Sequence, residues 1–186
     1  TDYQYSNLTY QYDFDHGAWK EIQFTGDVIY PRMHTVAGKG PVEGSFFVFG
    51  GVGNETGKQE LGKDFFCDLY LFDTSKHIVK KLWSRAFPDN YFIPTRGLVF
   101  DSKKECIYLL CIDRKTTNAS LHRFDVKTGE HAIVSNEIVF QTNCILSTAY
   151  LFNNPKDNEL YAIIRYSEDN NPKAKISVYK LNAPPI

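Results

Sequence analysis

Phe46-Phe47-Val48-Phe49-Gly50-Gly51 is an apolar run of strand length closed by two glycines. Aromatic and β-branched side chains favour a pleated, half-buried surface. A glycine pair at the end of such a run permits backbone angles and close approach that a side chain would block. Working outward, the run returns as Cys106-Ile107-Tyr108-Leu109-Leu110-Cys111 and again as Glu159-Leu160-Tyr161-Ala162-Ile163-Ile164. A second marker travels with it, an aromatic residue followed by Asp: Tyr12-Asp13, Phe72-Asp73 and Phe124-Asp125, with Tyr179-Lys180 in the fourth position. Two markers with nearly the same interval make a repeat. Repeats of ~40–50 residues built from four strands are propeller blades, and the longer interval here implies extended loops.

Each aromatic-Asp marker ends the first strand of a hairpin. Tyr10 to Phe14 alternates, Asp15-His16-Gly17 turns, and Trp19 to Phe24 alternates again. Leu69 to Asp73 is followed by the turn Thr74 to His77 and the strand Val79 to Leu82. Leu121 to Asp125 is followed by Val126 to Gly129 and Ala132 to Val134. Asp and Gly tolerate the backbone angles these turns need. A further strand precedes each apolar run, at His34 to Ala37, Thr95 to Phe100 and Cys144 to Tyr150. The expected fold class is therefore all-β, in four-stranded antiparallel blades of a β-propeller.

Composition agrees. The 186 residues carry 12 Tyr, 14 Phe and one Met, and no segment holds a sustained helical stripe. A net charge of -1 excludes a strongly basic nucleic-acid platform. No apolar run approaches the ~20 residues of a membrane-spanning helix. The cysteines, Cys67, Cys106, Cys111 and Cys144, form no CxxC pair and read as free core residues.

Pro31-Arg32-Met33-His34, then Phe47 to Gly51, then Asp68 to Asp73 together resemble a kelch repeat, of the kind shared with galactose oxidase. The double glycine becomes Leu110-Cys111 and Ile163-Ile164 in later copies; Trp19 stands where the family has Trp, while Trp83 lies off register. The resemblance implies blade parts at about 8–24, 31–83, 94–135 and 144–181, with 182–186 as a boundary or linker. That is about three blades of an incomplete ring, since propellers hold ~4–8. The open sheet edges imply completion by the remainder of a longer polypeptide or by a second copy.

Candidate ligand-binding residues follow from strand order. Arg32, His34 and Arg96 fall near innermost strands, which line a propeller channel. Asn54, Arg114, Arg165, Tyr166 and Asp169 fall in the loops after second strands. Loops on a rigid scaffold carry binding more often than strands do, and Arg offers a planar fork for carboxylates. No catalytic residue and no metal ligand is assigned. His16, His34, His77, His122 and His131 form no HxH or HxxxH pair. The glycine-rich segments at 38–40 and 50–53 lack a P-loop pattern and read as turns. No position matches the Tyr, His and Cys–Tyr set of copper oxidases on this fold, so no cofactor is expected.

The expected function is a non-catalytic binding module for protein or glycan, such as the sensor domain of an envelope or signalling protein. The alternative is part of a sugar-acting mutarotase, epimerase or oxidase. The chain starts at Thr1 without Met, which reads as processed and points to a periplasmic, cell-surface or secreted setting.

Overall fold

The computed structural model describes residues 4–59, 65–86, 92–113, 115–116, 118–139, 148–154, 156–157, 159–167 and 174–181. Fifteen strands and no helix form among them. In chain order they are β1 (Thr9–Asp13), β2 (Ala18–Ile22), β3 (Thr25–Gly26), β4 (Arg32–Met33), β5 (Val36–Lys39), β6 (Ser45–Gly53), β7 (Phe65–Asp73) and β8 (Ile78–Ser84). There follow β9 (Phe92–Asp101), β10 (Cys106–Asp113), β11 (Ala119–Asp125), β12 (His131–Ile133), β13 (Thr148–Asn154), β14 (Glu159–Ser167) and β15 (Ala174–Leu181). The fold is all-β, as the alternation predicts. It divides into two units, one of Thr1–Thr35 with Gly40–Ala86, the other of Val36–Lys39 with Phe87–Ile186.

In the first unit β1 and β2 form the expected hairpin, with Tyr12 opposite Trp19. The neighbouring sheet runs β3-β8-β7-β6-β4. Its core is Val48, Tyr70, Phe72 and Val79, over which Phe24, Ile29 and Phe46 pack. The segment after β2 is tied down by polar bonds as well: the Tyr70 hydroxyl donates to the Val28 carbonyl at 3.1 Å, and Lys81 N–H donates to Asp27 Oδ2 at 2.7 Å. The strand β3 was not visible in the sequence, being two residues long and paired in parallel to β8.

The glycine pair makes a bulge. Pairing of β6 with β7 shifts register between Phe49 and Gly51, where Gly50 and Gly51 have φ of 63° and 112°. A side chain on Gly53 would meet the Pro31 carbonyl oxygen at 2.0 Å, so β4 lies closer than any other residue would allow. A second irregularity, between β7 and β8, explains why Trp83 is off the repeat register. The shift sends Trp83 into the interior, edge-on to Phe49 at 6.0 Å.

In the second unit one sheet runs β12-β11-β10-β9-β13-β14-β15. It consists of two antiparallel meanders, β9 to β12 and β13 to β15, joined where β9 and β13 run parallel at Arg96 and Tyr150. Gly97 allows that approach: a Cβ there would lie 2.2 Å from the Leu151 carbonyl oxygen. One face of each meander enters a common core. Cys106, Tyr108, Leu110, Ala119 and Leu121 come from the first, and Ala149, Leu151, Leu160, Ala162 and Ile164 from the second. Cys67, Cys106 and Cys111 are buried, as core residues are expected to be, and Cys144 lies outside the described residues.

The predicted strand from His34 to Ala37 is interrupted. His34 takes φ of 58° between β4 and β5, a left-handed turn that no strand accommodates. The aromatic-Asp marker acquires a physical cause. Asp13, Asp73 and Asp125 each accept from two backbone N–H groups two and three residues on, closing the hairpin turn. Asp101, which likewise follows an aromatic residue in Phe100, and Asp113, which follows Ile112, do the same in their own turns.

Candidate functional site

Arg32 is held by three elements. From β4 its Nη1 donates to Asp68 Oδ1 of β7 at 2.7 Å and to the Gly50 carbonyl of the bulge at 3.1 Å. Its Nε donates to the Tyr30 carbonyl at 3.0 Å, and the guanidinium carbon lies 3.9 Å from the Phe66 ring centroid. The two side chains are 3% and 4% exposed. Arg32 therefore has its charge committed inside the sheet, and its geometry is that of a brace.

The other sequence candidates fall in different places. His34 is exposed at its turn. Asn54 donates to the Lys58 carbonyl at 2.7 Å and accepts from Thr56 Oγ1 at 2.9 Å, so it organises its own loop. Arg114, Asp169 and the side chain of Tyr166 lie outside the described residues. Arg96 and Arg165 share a neighbourhood. Arg96 Nη1 donates to the Tyr150 hydroxyl at 2.9 Å, across the parallel contact of β9 with β13. Tyr150 opposes Ile163 on β14, and the next residue but one on β14 is Arg165, also exposed.

This outward face of β13 to β15 is aromatic and aliphatic. Tyr150 and Phe152 are stacked at 6.1 Å, and Phe152 opposes Tyr161. Val178 and Ile176 follow on β15, opposite Ile163 and Arg165. The two arginines thus border an apolar patch. Local sequence could not reveal Tyr150 as the partner of Arg96, because their nearness depends on the parallel pairing of strands 54 residues apart.

A second cluster was also invisible to spacing. Ser120 Oγ lies 3.0 Å from His122 Nε2, and His122 Nδ1 lies 2.9 Å from His131 Nε2. Phe92 contacts both imidazoles, and Phe124 stacks on His131 at 4.7 Å. The pairing of β11 with β12 brings these residues together. Burial, then the neighbouring His131, pushes the His122 pKa down to about 3, and burial lowers that of His131. Both rings are neutral at pH 7. A Ser-His-His chain has the groups of a nucleophile relay, but Ser120 and His122 are buried and offer no route to a substrate. Among the described residues no three His, Cys, Asp or Glu side chains are grouped to hold a metal.

An open cleft of about 650 Å³ lies between residues 133–138 and the end of β15. Three of its polar side chains, Ser135, Glu137 and Lys180, are committed internally. Ser135 Oγ accepts from Leu121 N–H and donates to the Asn136 carbonyl, Glu137 accepts from Asn118, and Lys180 pairs with Glu159. It is a seam between strands and has little to recognise a ligand with.

No family model matches the chain, and no curated protein does. Solved structures do. A structural genomics protein of unknown function from Bacteroides thetaiotaomicron VPI-5482 aligns at 12% identity and a TM-score of 0.49, over 94% of this chain and 43% of that one. The nidogen/laminin complex aligns at 10% identity and a TM-score of 0.35, over 94% and 76%. The chain thus spans less than half the length of the first.

Proposed function

We propose that the chain is a non-catalytic interaction module, contributing kelch-like blades of a β-propeller, and that it recognises protein through the outward face of β13 to β15. The observation that carries this reading is the patch itself: Tyr150, Phe152 and Val178 on a rigid sheet, bordered by Arg96 and Arg165. Aromatic residues and Arg are the side chains enriched where proteins meet, and a contiguous exposed apolar patch marks such a site. Side chains fixed on strands lose little freedom on association, which favours binding. The repeating meander, with its first strands in parallel contact, supports the blade reading.

Nuclear magnetic resonance of glucose and galactose anomers, with and without the purified chain, tests the non-catalytic claim. Unchanged anomer exchange and no oxidation are expected. Accelerated exchange or a new product overturns the reading in favour of a sugar-acting enzyme.

A further inference from the structure

The face proposed above for recognition has a counterpart inside the molecule. Tyr161 and Ile163 stand 53 residues after Tyr108 and Leu110, and Ile163 opposes Val178 as Leu110 opposes Leu121. In the earlier meander this face is covered: Tyr108, Leu110 and Leu121 share a core with Leu160 and Ala162. Tyr179 and Leu181 of β15 pack against the same core. In the later meander the equivalent face is bare, with Ile176 67% and Val178 61% exposed. The molecule therefore shows what fits such a face, namely the opposite face of another repeat.

The β1–β2 hairpin presents that opposite face. By ladder register the counterparts of Tyr179 and Leu181 one repeat earlier are His122 and Phe124, so Leu181, and not Tyr179 as the marker spacing suggests, stands in the position of Phe124. The aromatic-Asp marker aligns Phe124 with Tyr12, and so His122 with Tyr10. Tyr10 and Tyr12 thus occupy the positions that close the internal junction, yet here they are exposed. Trp19, opposite Tyr12, is 67% exposed, and Phe14 beside them 89%. Glu21 opposes Tyr10 on this face, while Arg96 and Arg165 border the other, so the charges are complementary.

We propose that a second copy of this chain covers the β13–β15 face, its β1–β2 hairpin laying Tyr10, Tyr12 and Trp19 over Tyr161, Ile163 and Val178. The inference rests on the interaction-module reading and names its partner. The contact is heterologous, with different patches on the two copies, so it closes into a ring or extends.

Sedimentation velocity of the intact chain over a concentration series tests it, alongside Trp19→Glu and Val178→Glu, with urea unfolding of each to verify the fold. Wild-type chain is expected to self-associate. Each variant alone is expected to associate at least ~10-fold more weakly, as loss of a central hot-spot residue does. An equimolar mixture of the two restores a dimer, because one copy retains the hairpin face and the other the meander face. Should either variant not fold, Tyr12→Glu and Ile176→Lys replace them. A wild-type monomer at every concentration overturns the second copy as partner, and leaves the interaction-module reading to the sugar-turnover test. Self-association insensitive to both faces, or variants that fail to complement, overturns the facing geometry and the recognition face with it.

Discussion

Arg32 and Asp68 form an ion pair at 2.7 Å, closed off from water on β4 and β7, and the same Nη1 also donates to the Gly50 carbonyl at the bulge, while the buried Nη2 has no hydrogen-bond partner among the described residues. The pair ties a two-residue strand to the middle of the sheet. Removing one partner strands the other's charge in the interior, which costs about 3–5 kcal/mol. Arg32→Met and Asp68→Asn are each expected to lower stability by that order in urea unfolding. The double variant Arg32→Met/Asp68→Leu is expected to recover most of the loss, since well-packed apolar replacements of buried pairs are often neutral. A double variant no better than the singles would show that the pair does more than neutralise charge.

The bulge predicts a second outcome. Gly53 has its Cβ position 2.0 Å from the Pro31 oxygen, and Gly51 combines φ of 112° with 2.8 Å to the Met33 oxygen. Gly17 has φ of 62° with nothing nearer than 3.7 Å. Gly53→Ala and Gly51→Ala push against backbone, which is costlier than the ~1 kcal/mol of unfavourable φ that Gly17→Ala incurs. Thermal unfolding is expected to rank the losses Gly53 and Gly51 well above Gly17. Equal losses would remove the close approach of β4 as the reason for the glycines.

The hairpin turns offer a stabilising change. Four residues after the turn-closing Asp the chain adopts positive φ: Gly17 after Asp13, Gly129 after Asp125, but His77 after Asp73 and Glu105 after Asp101. The last two bear side chains where glycine is favoured. His77→Gly and Glu105→Gly are expected to stabilise by a few tenths to ~1 kcal/mol, the relief of left-handed strain exceeding the added unfolded-state entropy. His77 also contacts Phe24 at 5.7 Å, and Glu105 pairs with Lys127 at 2.6 Å; because that pair is exposed and worth little, Glu105→Gly measured in a Lys127→Met background is the cleaner measurement. A lower melting temperature for Glu105→Gly would contradict the account.

Local pattern revealed the hairpins because alternation and turn chemistry are written in adjacent residues. Asp13 followed by Gly17, and Asp125 followed by Gly129, announce both strand end and reversal. The break at His34 was hidden because it carries neither Gly nor Pro. The candidate face was half legible. Arg96 and Arg165 were named as separate residues, but Tyr150 and Phe152 join them only through pairing between β9 and β13. Arg32 reads as an exposed ligand until its distant partner Asp68 is placed. Trp83 reads as off register until the irregularity beside Leu69 restores it to the core.

His122 sets an acid limit. In the folded chain its pKa is down at about 3, against an ordinary 6.5. His131 lowers it further, Asp113 acts the other way, and Ser120 Oγ is the polar neighbour on β11. Above pH 6.5 folded and unfolded chains both hold the imidazole neutral, and its contribution is constant. Below 6.5 the unfolded chain takes up a proton that the folded chain refuses, so stability falls toward pH 3 by up to ~1.4 kcal/mol per pH unit. The carboxylates of Asp13, Asp73 and Asp125 lie below their ordinary 3.8, so their own losses begin lower, under about pH 4. Urea midpoints at pH 7, 5.5 and 4.5 are expected to fall for the native chain, and to fall less for His122→Phe. Parallel declines in the two chains would place the acid sensitivity elsewhere and mean that the His122–His131 pair opens before it protonates.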